Sequence, residues 1–114
     1  MNVDYTGRGT TIGLREKRLA DQELARIDTM LMGRVVSAHV ILTEEKYRRI
    51  AEITMQTRFD TFVARCESTE MLVAVHDAIK KIEQQVLKHK ERRMTIQRQA
   101  KPASAEPLIE VRAV

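Results

Sequence analysis

The chain has 114 residues, room for one domain with a modest core but not for two. Hydrophobic residues make up 43% and charged residues 32%, which excludes a chain too polar to fold. The formal net charge of +4 permits an anionic partner without requiring one.

The N-terminus, "MNVDYTGRGTT", has no basic segment followed by an apolar run, so no signal peptide is expected. Val3 and Tyr5 alternate with polar residues, the pattern of a half-buried strand, and "GRG" breaks it. Thr10 or Thr11 is then placed to cap a helix over about residues 14–32. Ala20, Leu24, Ile27 and Leu31 recur at helical spacing as its apolar face, with Arg15, Arg18, Gln22 and Arg26 on the far side. Gly33 ends it.

"RVVSAHVILTEEK" reads as a strand with Val36, Ala38, Val40 and Leu42 inward and Val35, Ser37, His39 and Ile41 outward. "RIAEITMQT" repeats the alternation with Ala51, Ile53 and Met55 inward, and "TFVARCES" with Phe62, Ala64 and Cys66 inward. Short links predict an antiparallel meander of these three strands. Ser68 is a fitting N-cap for the next helix, with Glu70 in its first turn. Met71, Val75, Ile79, Ile82 and Val86 form its apolar face, and it extends to about Arg93.

The fold class expected is therefore α+β, in the order β-α-β-β-β-α: a four-stranded sheet with two helices on one face. Ser37, His39, Glu52, Thr54, Gln56 and Arg65 line the open face. Aromatics are scarce and Trp is absent, so the core must be aliphatic with methionine filling. The domain is assigned to residues 1–95. Residues 96–114, which include the Pro- and Ala-rich "AKPASAEPLIEVRAV", are expected to be a flexible tail.

Positive charge is concentrated late in the chain. Between residues 68 and 100 there are seven basic and four acidic residues, while the first 33 balance at five each. On the second helix Lys81, Gln85, Lys88 and Arg92 recur at i, i+4, i+7 and i+11, a row of roughly 16 Å. Such a row matches successive phosphates of an RNA strand, and affinity gained by counterion release falls steeply with salt. On charge alone, a solvated surface helix with a lysine-rich C-terminal half is the simpler reading. Arg15, Arg18 and Arg26 favour the RNA reading, because two helices packed side by side could present both stripes together. Neither stripe holds an aromatic, so phosphate and shape recognition fits better than base stacking.

Several ordered blocks resemble one family. "MNVDYTGR" is similar to the opening strand of the ribosome hibernation promoting factors, also called ribosome-associated inhibitors. "AHVILTEEKYRRIAEIT" resembles their hairpin, and "ESTEMLVAVHDAIKKIEQQVLKHK" their second helix; together the likeness covers about residues 1–93. The resemblance implies the same β-α-β-β-β-α fold, in a layout related to double-stranded-RNA-binding domains. It implies a cytoplasmic bacterial protein that binds the small ribosomal subunit and its rRNA at the decoding region. There it would block the mRNA and tRNA sites during stress or stationary phase. Carried over by motif, rRNA contacts fall on Arg26, in "LARI", and on Lys81, Lys88 and Lys90, with Arg92 and Arg93 following. The sequence departs from the family at Glu23 and Thr29, where basic residues are frequent, at Gln84, and at Arg58-Phe59, which replaces an Asn-Gly turn. It looks like the short form, expected to be a monomer off the ribosome. A generic structured-RNA-binding module without ribosome specificity is the alternative.

Nothing points to catalysis, a cofactor or a small-molecule substrate. Cys66 alternates with core positions and has no base to activate it. As the only cysteine it forms no internal disulfide, in keeping with a reducing cytosol. His39, His76 and His89 lack the spacing of a metal site. Glu44 and Glu45 are adjacent on a strand and point to opposite faces, so they are poor partners for acid–base work. No apolar stretch reaches the roughly 20 residues needed to span a bilayer, so no membrane partner is expected. Phe59, at a turn, is the one aromatic expected to stand exposed or to pack on the sheet edge.

Overall fold

A computed structural model describes the backbone of residues 1–100 and the side chains of residues 1–90. The elements run β1 (Asn2–Arg8), α1 (Leu14–Met30), β2 (Val35–Glu44), β3 (Arg49–Thr57), β4 (Thr61–Ser68) and α2 (Met71–Ala100). The expected tail lies largely outside the described residues. The chain divides after Gln84 into two units; the first holds the sheet, α1 and the opening turns of α2.

The sheet order is β1-β2-β3-β4. β2, β3 and β4 form the antiparallel meander that short links require. β1 pairs in parallel with β2, from Asn2 opposite Ser37 to Arg8 opposite Thr43. A parallel pair needs a crossover, and the 17 residues of α1 supply it. The buried face of the sheet carries Ala38, Val40, Leu42, Ala51, Ile53, Met55, Phe62 and Ala64. Ala20, Leu24 and Ile27 of α1, and Ala74, Val75, Ala78, Ile79 and Ile82 of α2, are buried as well. Apart from Phe62 and Met55 this core is aliphatic, and each large side chain enclosed in it contributes about 1.5–3 kcal/mol.

Four local expectations are corrected. At the start of β2, Val35 is buried and Val36 is exposed, the reverse of simple alternation. Val35 pairs with Thr57 and Ser37 with Gln56, so Val36 is an extra residue in a β-bulge, which inverts the facing of everything before it. Neither Thr10 nor Thr11 caps α1. Gly13 holds the N-cap position without a side-chain cap, its carbonyl accepting from the Lys17 N–H at 3.0 Å. The Glu16 carboxylate folds back so closely that a Cβ on Gly13 would meet its Oε1 at 2.0 Å. The helix also ends at Met30, two residues early. Met32 and Gly33 both adopt positive φ, at 59° and 73°, and the Gly33 N–H donates to the Asp28 carbonyl at 2.8 Å. Asp28 Oδ1 then accepts from the Val35 N–H at 3.0 Å, joining the helix end to the bulged strand. Finally, Glu70 precedes α2 rather than lying in its first turn. Its carbonyl accepts from Ala74, while Ser68 Oγ accepts from the Glu70 N–H at 3.3 Å.

Register places Ser37, His39, Glu52, Thr54, Gln56 and Arg65 on the face away from the core, as alternation predicts. Thr6 Oγ1 and His39 Nε2 lie 2.8 Å apart there. Ile50 is on the same face yet buried, in a row between Thr43 and Glu67. At the end of the sheet near it, Glu67 accepts from Arg48 at 3.0 Å and from Arg65 at 3.2 Å.

Candidate nucleic-acid interface

The basic residues singled out in the sequence are exposed wherever their side chains are described. Arg15, Arg18 and Arg26 stand on α1, and Lys81 on α2. Their surroundings differ sharply.

Arg26 is not a free cation. Its Nη2 lies 2.9 Å from Glu83 Oε1 and its Nη1 3.2 Å from Glu83 Oε2, a two-pronged pair that joins α1 to α2. Glu23, one turn back, accepts from Nη2 at 2.9 Å and from Nε at 3.1 Å. These bonds raise the arginine pKa above its ordinary value, Glu83 contributing most and Glu23 next. The hydrogen bond from Arg26 in turn holds the Glu83 carboxyl below the usual carboxylate range, against some burial. Because the folded value is the lower one, the stabilisation from Glu83 is present above the unfolded value. It is lost as pH falls through the folded one. Wild type should therefore melt above Glu83→Gln at neutral pH, and the two melting temperatures should converge toward pH 3. A gap that stays constant over that range would remove the ion pair as its cause.

Lys81 faces elsewhere. Residues two apart on a helix point about 200° apart, so with Glu83 turned to α1, Lys81 is carried to the other flank. Its Nζ donates to the Arg65 carbonyl of β4 at 3.3 Å. β4 is an edge strand, and a lysine over its unpaired carbonyls also blunts the edge against further strand pairing. The structure thus separates Arg26 from Lys81 instead of merging the two stripes at this level. The sequence reading placed both outward but had no means of telling which flank met α1.

What Lys81 joins is a groove of about 700 Å³ between β4 and α2, lined by Arg65, Glu67, His76, Asp77, Lys80 and Lys81 among others. Of these, Lys80, His76 and Arg65 were not among the RNA-contact candidates read from the sequence. The signal for Lys80 was its place beside Lys81 in "AIKKIE"; nothing local points from Arg65 to α2. Cys66 also lines the groove, half-buried rather than enclosed. His76 Nδ1 lies 3.4 Å from Asp77 Oδ1.

Lys88 and Lys90 are exposed in the second unit. Arg92 and Arg93 lie outside the residues whose side chains are described. Among the described residues no group of three or more His, Cys, Asp or Glu could hold a metal ion. Nor is any helix there long and apolar enough to cross a membrane. Phe59 does not pack on the sheet edge, being 82% exposed, and Tyr47 is exposed to the same degree beside Lys46.

Residues 3–94 match the sigma 54 modulation protein / S30EA ribosomal protein family. The chain is 26% identical over 105 residues to the ribosome hibernation promoting factor of Azotobacter vinelandii, covering 92% of this chain and 97% of that one. It is 25% identical over 96 residues to the ribosome hibernation promoting factor of Pseudomonas putida, covering 84% and 93%. A ribosomal subunit interface protein from Coxiella burnetii superposes with a TM-score of 0.72 at 26% identity, over 80% of this chain and 99% of that one. The N-terminal domain of Protein Y from Thermus thermophilus shares the fold, with a TM-score of 0.71 at 24% identity over 78% and 99%. The match runs from β1 well into α2 and takes in every strand of the sheet, so the chain belongs to the sigma 54 modulation protein / S30EA ribosomal protein family, the family of ribosome hibernation promoting factors that its sequence blocks resemble.

Proposed function

We propose that this protein binds the small ribosomal subunit at its decoding region and silences translation there by excluding mRNA and tRNA. The family match over residues 3–94 carries this reading. The exposed cations support it: Arg15 and Arg18 on α1, Lys81 in the groove beside β4, and Lys88 and Lys90 further along the chain. They bind phosphates of rRNA, with Arg92 and Arg93 completing the set. Arg26 takes part by exchanging Glu83 for a phosphate, one anion for another. With Glu23 and Glu83 both beside it, its contribution is the smallest. The protein works by occupancy, as a monomer in the cytoplasm, and makes or breaks no covalent bond.

Co-sedimentation with small subunits tests the reading. Binding should be tight at low ionic strength, weaken steeply and linearly in log salt, and be lost to competing mRNA and tRNA. Failure to pellet at low salt would overturn it. A plain RNA duplex that competed as well as the subunit would reduce the protein to a generic structured-RNA binder.

A further inference from the structure

The β3–β4 turn carries an aromatic side chain where glycine and polar residues usually sit. Hydrogen bonds between Thr57 and Asp60 close it: the Thr57 N–H and Oγ1 donate to the Asp60 carbonyl at 2.9 and 3.3 Å, and the Asp60 N–H donates to Thr57 Oγ1 at 3.0 Å. Arg58 and Phe59 are thereby held at the tip. The Phe59 ring is almost fully exposed, with the Arg58 guanidinium 5.6 Å from its centroid.

The turn has company. Val35 pairs with Thr57, so the turn leading from α1 into β2 lies at the same end of the sheet. There the bulge directs Val36 outward, and Met32, held at positive φ, is exposed too. Arg34 is exposed beside them, while Asp60 is half-buried. One end of the sheet thus carries three exposed apolar side chains, Phe59, Val36 and Met32, and two exposed arginines, Arg58 and Arg34. Bulges commonly re-aim a side chain at a functional site, and this one adds Val36 to the surface.

We propose that this end of the sheet, centred on Phe59, stacks an unpaired base of RNA, with Arg58 and Arg34 against its phosphates. An aromatic face beside a guanidinium is the composition that holds single-stranded nucleotides: the base lies on the ring and the cation takes the backbone. An apolar pocket on a protein would accept the ring but would have to desolvate two cations without supplying their counter-charge. The inference rests on the reading of the protein as an RNA-binding ribosome factor and adds to it a contact outside α2.

The chain contains no tryptophan, so Phe59→Trp places a single reporter at the tip. It should be titrated with small ribosomal subunits, followed in parallel by sedimentation, and with a single-stranded oligoadenylate at low salt. Stacking predicts that emission falls by more than about half in both titrations. It also predicts that Phe59→Ala weakens subunit binding by about 5- to 100-fold without changing the melting temperature. Pelleting with unchanged emission, or with a blue shift and no quenching, overturns the stacking contact and leaves the ribosome reading intact. Quenching by the oligonucleotide without pelleting supports the contact and overturns the ribosome reading. Neither pelleting nor quenching overturns both.

Discussion

Ile53→Ala should destabilise the protein by about 3–4 kcal/mol, seen as a lower urea midpoint at an unchanged slope. Ile53 lies at the middle of β3, one of the two central strands, opposite Val40 on one side and Ala64 on the other. It is fully buried, like its β3 neighbour Met55 and like Leu24, Ile27 and Ile82 on the helices. Removing three carbons there leaves a void that the flanking strands cannot close without breaking their ladders, so the cost exceeds the transfer term alone. Against a total stability of about 5–15 kcal/mol this is a large fraction. A loss below about 1 kcal/mol would mean that the core collapses around the site and that β3 is not its centre.

The second large effect is on binding. Lys81→Glu combined with Lys88→Glu should reduce affinity for small subunits by at least about 100-fold at low salt and flatten the salt dependence by about two phosphate contacts. Each substitution replaces an attraction to phosphate with a repulsion. Stability should barely move, because both residues are exposed and the only described bond lost is the 3.3 Å contact from Lys81 to the Arg65 carbonyl. A folded double variant that still sediments with subunits at wild-type affinity would exclude these lysines from the interface. Charge reversal at Arg26 is a poorer probe: it would place a third carboxylate beside Glu23 and Glu83 and confound binding with stability.

The element order and the two faces of each strand were legible because they depend on short-range periodicity. Ala38, Val40 and Leu42, and likewise Ala51, Ile53 and Met55, alternate at a period of two and point to the core. Ala20, Leu24 and Ile27 repeat at the helical period and do the same. Alternation failed at Val35 and Val36, two valines of similar bulk that no local rule ranks. A single bulge, set by the pairing of Val35 with Thr57, chose between them. At the start of α1, threonine chemistry favoured Thr10 or Thr11, but Gly13 took the N-cap position without a side-chain cap.

The candidate site divides along the same line. The sequence by itself determined which residues are cationic and exposed, and the blocks that mark the family, since both follow from residue type and spacing. Only the tertiary structure decided what each side chain meets: Glu83 for Arg26 across 57 positions of chain, the β4 edge for Lys81, and an exposed turn at the end of the sheet for Phe59. The reason is physical. Helical and strand periods specify direction around one element, whereas a side chain's partner depends on how that element is rotated against its neighbours, which the packing of the whole core sets.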